Sequence, residues 1–120
     1  MQGDSMMKML GYGRHSVGED DIAAVLEVLR SDFLTQGPQV EAFEQEFAAR
    51  VGAAHAVAVS NATAALHLAM LVADIGSGDR VVTTPLTFLA SANGAAYVGA
   101  TVDFCDIDPL HYNMDAALLE

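Results

Sequence analysis

Seven residues, Ser60-Asn61-Ala62-Thr63-Ala64-Ala65-Leu66, follow directly on the apolar run Ala56-Val57-Ala58-Val59. A short β-branched run reads as a buried strand, and the Ala/Leu-rich stretch after it reads as a helix. The turn between them holds Ser, Asn and Thr, whose side chains cap helix starts. The first N–H groups of a helix have no partner within it, and the helix dipole favours negative charge at that end. Small side chains let a phosphate approach that backbone closely, so the turn is a candidate anion cradle. The same pattern also serves an ordinary strand-to-helix junction with a good cap.

The elements around this turn are predicted from periodicity. A helix is expected over residues 18–31, with Ser16 and Glu19 as a capping box and Ile22, Val25, Leu26 and Leu29 on one face. After the loop 32–37, Gly37-Pro38 starts a second helix near residues 39–51, with Val40, Phe43 and Phe47 on its buried side and Gly52 as its stop. Strands then alternate with helices: strand 55–59, helix 63–73, strand 80–83, helix 87–98, strand 101–105 and a last helix capped by Asn113 or Asp115. The helix over 63–73 is apolar nearly all round, so burial on both sides is expected, with His67 a satisfied core histidine. This alternation predicts a parallel sheet with crossover helices. Each parallel strand delivers its following loop to one edge of the sheet. Thr83-Thr-Pro-Leu-Thr-Phe88 then brings an aromatic ring to the edge that holds the Asn61–Thr63 turn. A phosphate cradle beside a planar ring suits a flat, phosphorylated cofactor.

Composition narrows the classes. Hydrophobic residues make up 52% of the 120, enough for a packed core. The net charge of −11, with Lys8, Arg14, Arg30, Arg50 and Arg80 scattered, argues against nucleic acid and against anionic membrane as partners. His15, His55, His67 and His111 share no metal-ligand spacing, so no metal is expected. Ser60 lacks the glycine-flanked nucleophile elbow, and no Walker or dinucleotide fingerprint occurs. Cys105 is the sole cysteine, which fits a reducing, cytoplasmic compartment. No apolar stretch is long enough to span a bilayer, and residues 1–11 read as a disordered leader.

Three segments carry a resemblance. Ser60-Asn-Ala-Thr-Ala-Ala-Leu66, Thr83-Thr-Pro-Leu-Thr-Phe-Leu-Ala-Ser-Ala-Asn93 and Val102-Asp-Phe-Cys-Asp-Ile-Asp108 are similar to the DegT/DnrJ/EryC1/StrS-type nucleotide-sugar aminotransferases, which use pyridoxal 5′-phosphate. Tyr12-Gly-Arg-His15 and Leu34-Thr-Gln-Gly-Pro38 most resemble the subgroup that aminates C4 of UDP-4-keto-6-deoxy-N-acetylhexosamines, on the path to nonulosonic acids. The resemblance implies an α/β fold, the N-terminal part of the fold-type I PLP-transferase large domain: two leading helices, then βαβαβ with a mostly parallel sheet. It implies that Asn61, Ala62 and Thr63 surround the cofactor phosphate and that Phe88 stacks on its ring. Tyr12, Thr35 and Gln36 would lie near the nucleotide-sugar substrate, with a glutamate-like amino-acid donor and an active site at a homodimer interface. Asn61 stands where relatives often carry Ser, a change that keeps a capping side chain.

The family's chemistry also needs a lysine bonded to the cofactor and an acid on the ring nitrogen. The sole lysine is Lys8, in the leader, and Asp106 and Asp108 are not the equivalents of that acid, so no catalytic residue is assigned here. The expected organisation is therefore a leader (1–11), an N-terminal helical segment (12–54) and the incomplete first part of a PLP-binding α/β domain (55–120), inactive by itself. The alternative is a non-catalytic module that binds phosphate or associates with a full-length subunit. In the implied strand order, 3-2-4-5-6-7-1, the second and third strands pair, while the first lies at the far edge.

Overall fold

A computed structural model of the chain describes residues 13–119, which fall into two compact units that divide between Ala56 and Val57. Tyr12, Lys8 and the leader 1–11 lie outside the described residues.

The first unit carries α1 (Glu19–Arg30) and α2 (Pro38–Val51). Both helices fall within a residue or so of expectation, because amphipathic spacing and end signals agree. The cap of α1 differs. Gly18, not Ser16, is its N-cap, and its N–H donates to Asp21 Oδ2 at 2.7 Å, so Asp21 does what was expected of Glu19. Pro38 opens α2, where its missing N–H costs nothing, and left-handed Gly52 ends it. The apolar faces stay largely open: Ile22 is 44% exposed, Leu29 61%, Phe43 58% and Phe47 50%. Val40, Phe43 and Phe47 therefore do not form the expected buried side, and Ala48 is the one buried residue of α2. Phe43 and Phe47, one turn apart, stack on each other with ring centroids 5.9 Å apart.

The second unit carries α3 (Ala62–Val72), β1 (Arg80–Thr83), α4 (Ala90–Tyr97), β2 (Thr101–Phe104) and a single 3-10 turn at Ala116–Leu118. β1 and β2 pair in parallel, with Arg80 opposite Thr101 and Thr83 opposite Phe104, and α4 is the crossover between them. α4 packs on both strands and on α3. The core is made of small residues: Ala90, Gly94 and Ala95 of α4, with Ala100 and Cys105 at the ends of β2. The α/β class and the parallel pairing of the second and third expected strands are thus realised.

Three further expectations are corrected. Residues 55–59 form no strand, since the described sheet consists of β1 and β2. A strand is defined by its ladder, and the implied order keeps this segment away from β1. α3 is not buried on both sides; none of its residues is buried, because α4 is its main partner. The last helix is reduced to the 3-10 turn, which Asp115 does cap by accepting from the Ala117 N–H at 3.0 Å.

Candidate functional site

The Asn61 turn has the geometry of a cradle. Asn61 is extended (φ −170°, ψ 167°), and its Oδ1 accepts the Ala64 N–H at 2.9 Å while its Nδ2 donates to Ser60 Oγ at 3.2 Å. Its carbonyl accepts the Ala65 N–H at 3.2 Å, which closes the first turn. Ala62 and Thr63 occupy the first two helical positions, where the helix offers no acceptor for their N–H groups. No acid lies in this first turn. The turn therefore presents two donors, a threonine hydroxyl and the positive end of the dipole, with no carboxylate of its own to occupy them.

Phe88 lies in the connection from β1 to α4 and is 76% exposed, so its ring is free to take a planar partner. Two hydroxyls shape that connection. Thr84 Oγ1 donates to the Leu86 carbonyl at 3.3 Å, across Pro85, and Thr87 Oγ1 and Ser91 Oγ share a hydrogen bond at 3.2 Å. The Phe88 carbonyl accepts the Ser91 N–H at 3.0 Å. These contacts hold residues 84–89 in a turn, which is why α4 begins at Ala90 and not at the expected Thr87.

Asn61, Ala62, Thr63 and Phe88 all belong to the second unit, joined through the packing of α3 on α4. Thr35 and Gln36 belong to the first. There they line a concavity of about 260 Å³ together with Glu27, Ser31, Phe33 and Val40. Gly37 is required in this turn, since a Cβ there would lie 2.9 Å from Phe33 Cβ. Gln36 is left-handed (φ 54°), a conformation that costs a non-glycine residue about 1 kcal/mol. Strain of this kind often marks a functional loop. Sequence reasoning singled out the loop but not its strain, because Gln carries no signal for a left-handed backbone. It also passed over Gly94, which the α4 pattern alone makes look like a helix-weakening residue.

Beyond β2 the chain turns through Asp106–Asp115. Asp108 Oδ1 accepts the Leu110 N–H at 2.9 Å, and Asp108 Oδ2 pairs with His111 Nδ1. The Leu110 N–H first, and the His111 side chain second, hold the Asp108 carboxyl below its ordinary value. These groups serve the turn itself. Among the described residues no cluster of His, Cys, Asp or Glu could hold a metal ion, and no helix is long and apolar enough to cross a membrane.

Known proteins resemble this chain in sequence and in fold. SpsC of Bacillus subtilis, a spore coat polysaccharide biosynthesis protein, is 50% identical over 111 residues, which are 92% of this chain and 28% of SpsC. Spr1654 of Streptococcus pneumoniae, described as a sugar aminotransferase, is 34% identical and superposes with a TM-score of 0.82 over 87% of this chain and 26% of its own. It has been solved in PLP and PMP forms, the cofactor on which the family depends. 3-Amino-5-hydroxybenzoic acid synthase is 35% identical, with a TM-score of 0.80 over 87% of this chain and 28% of its own. The chain spans less than a third of the length of these relatives. The profile of the DegT/DnrJ/EryC1/StrS aminotransferase family matches residues 15–120. Fold and sequence thus agree, and the chain belongs to the DegT/DnrJ/EryC1/StrS aminotransferase family.

Proposed function

We propose that this chain is the part of a pyridoxal-phosphate-dependent sugar aminotransferase that holds the cofactor's phosphate and ring. The observation that carries the reading is the acid-free N-terminus of α3, with an exposed Phe88 ahead of the helix packed against it. The Ala62 and Thr63 N–H groups and the Thr63 hydroxyl donate to the phosphate, Asn61 keeps the turn closed, and Phe88 stacks on the pyridine ring. When bound, the cofactor supplies the electron sink for amino transfer. The substrate is a UDP-4-keto-6-deoxy sugar, contacted by Tyr12 and by the Thr35–Gln36 loop, and the donor is glutamate-like. The concavity under Thr35 and Gln36 supports that loop's role. The working enzyme is a cytoplasmic homodimer, a location supported by the single Cys105. No lysine follows Lys8, so these 120 residues alone transfer no amino group.

The test splices residues 15–120 into SpsC in place of its matching stretch. The hybrid should retain pyridoxal phosphate and move an amino group from glutamate to a UDP-4-keto-6-deoxy-N-acetylhexosamine. Retention of cofactor without transfer to any UDP-4-keto sugar overturns the substrate assignment. Loss of cofactor from a folded hybrid overturns the phosphate site. Transfer by the purified 120 residues alone refutes the division of labour.

A further inference from the structure

α3 and α4 approach each other tightly at Gly94. Gly94 is buried, and a Cβ built on it would stand 3.3 Å from Leu66 Cβ and 3.5 Å from the Leu66 carbonyl carbon and oxygen. Leu66 is the fifth residue of α3, and Gly94 is the fifth residue of α4. At 1.5 Å of rise per residue, each helix begins about 6 Å along its axis from the one crossing. The start of α3 is the Asn61–Thr63 turn, and the start of α4 is the connection that carries Phe88. The helix starts next to the two arms of the proposed cofactor site thus each lie about one turn from this contact.

α4 has little freedom to give way at this contact. It is seated on β1 and β2 as well as on α3, and Ala90 and Ala95 beside Gly94 are 5% and 0% exposed. α3, by contrast, relies on α4 for its packing among the described elements. A second contact fixes its rotation: the His67 and Tyr97 rings meet edge-on with centroids 5.4 Å apart, and the Tyr97 hydroxyl accepts from Asn93 Nδ2 at 3.4 Å. Any bulk added at position 94 therefore moves α3, and with it the phosphate turn, while Phe88 stays with α4.

We propose that Gly94 is a positioning residue: the absence of a side chain at the Gly94–Leu66 crossing sets the separation between the phosphate turn and Phe88, and so the grip on the cofactor. The proposal rests on the functional reading above. It names a residue that touches neither phosphate nor ring.

The experiment uses the whole chain with Cys105→Ala and nitroxide labels at Ala65→Cys and Leu89→Cys, both exposed positions. Spin–spin distances and pyridoxal phosphate binding by equilibrium dialysis are measured on the same series. Gly94→Leu should lengthen the label distance by about 1–2 Å, the range over which side chains tune helix separation. Binding of pyridoxal phosphate should fall roughly tenfold, as expected for a misplaced arm. Gly94→Ala should shift both readings in the same direction by less, and serves as the test variant should Gly94→Leu fail to fold. The compensating change, Leu66→Gly with Gly94→Ala, removes the side chain whose Cβ the new methyl meets and should return both readings toward wild type. An unchanged distance in folded Gly94 variants overturns the proposal, as does a lengthened distance with unchanged cofactor binding. A lower melting temperature with both readings unchanged assigns Gly94 a purely structural role and equally overturns it. Absence of binding by the wild type refutes the cofactor reading, and the label distances then still decide the spacing.

Discussion

The N-termini of α1 and α3 solve the same electrostatic problem in opposite ways. α1 places Glu19, Asp20 and Asp21 in its first turn and Arg30 in its last, so its own side chains match both ends of its dipole. Asp21 also takes the Gly18 N–H directly. α3 has neither an acid in its first turn nor a base in its last, and its cap is the neutral amide of Asn61. One helix is electrostatically finished by its sequence, and the other is left open. An open, positive helix end with two N–H groups that the helix leaves unclaimed suits an anion from outside, which is what the proposed phosphate site requires.

The comparison breaks if α3 is made to resemble α1. Thr63→Glu supplies the carboxylate that α1 already has and removes a hydroxyl donor. Cofactor binding should fall by at least about tenfold, the weight of one charge-assisted hydrogen bond, while the helix itself gains a few tenths of a kcal/mol. Dialysis against pyridoxal phosphate and urea denaturation measure the two effects separately. Undiminished binding by Thr63→Glu would mean that the phosphate sits elsewhere. Thr63→Ser, which keeps the hydroxyl, is the control and should bind nearly as wild type. Next in size is Asn61→Ala. It removes the acceptor of the Ala64 N–H, and should destabilise the second unit by about 1 kcal/mol in a urea titration.

The contrast between the two helix ends was legible in the sequence, and its burial was not. Caps, first-turn acids and the Gly37-Pro38 and Gly52 boundaries are local signals, so α1 and α2 appear where their residues predict. β1 and β2 also appear as expected, because Arg80–Thr83 and Thr101–Phe104 find each other across one crossover. Residues 55–59 carry the same kind of strand signal as β1, yet a strand is a property of pairs, and no ladder in the described sheet includes them. Likewise, the apolar faces of α1 and α2 show which side would be buried without supplying what would cover it, and Leu29 and Phe43 remain more than half exposed. The core that does form rests on Ala90, Gly94, Ala95, Ala100 and Cys105, residues too small to stand out in a hydrophobic pattern. Of the candidate site, residue types pointed to the Asn61–Thr63 turn and to Phe88. The crossing at Gly94 that joins them depends on a backbone distance that no sequence pattern encodes.

A smaller effect sharpens the comparison from the side of α1. Asp21→Ala removes one dipole-matching charge and the bond to the Gly18 N–H, at a cost of about 0.3–1 kcal/mol in dilute buffer. Because that contribution is coulombic and exposed, added salt should shrink it. The cost of Asn61→Ala, a neutral hydrogen bond, should hold nearly constant across the same salt series. Equal salt sensitivity in the two variants would show that the cap of α3 is not the neutral one described above.

The smallest effect concerns another place where this chain satisfies its own negative charge, the Asp108 turn. The Leu110 N–H and then the His111 side chain favour the carboxylate, and its pKa lies below the ordinary 3.8. A carboxyl whose folded pKa is depressed contributes stability that is fully present above the unfolded value. That contribution is lost as pH falls through the folded value, so the window lies below 3.8. Asp108 is half-buried and its partners lie within its own turn, so the change should be local, a loosening of residues 108–113 and not unfolding of the unit. The Tyr112 N–H, which bonds the Asp108 carbonyl at 2.8 Å while Tyr112 itself is held left-handed at φ 59°, reports on the same turn. The amide shifts of Leu110 and Tyr112 should titrate together with a midpoint below 3.8, and Asp108→Asn should abolish the transition. A midpoint at or above 3.8 would show that the carboxylate is not held by these two donors. Cofactor binding at neutral pH should be indifferent to Asp108→Asn, because this charge is already spent within its own turn, whereas the open end of α3 is not.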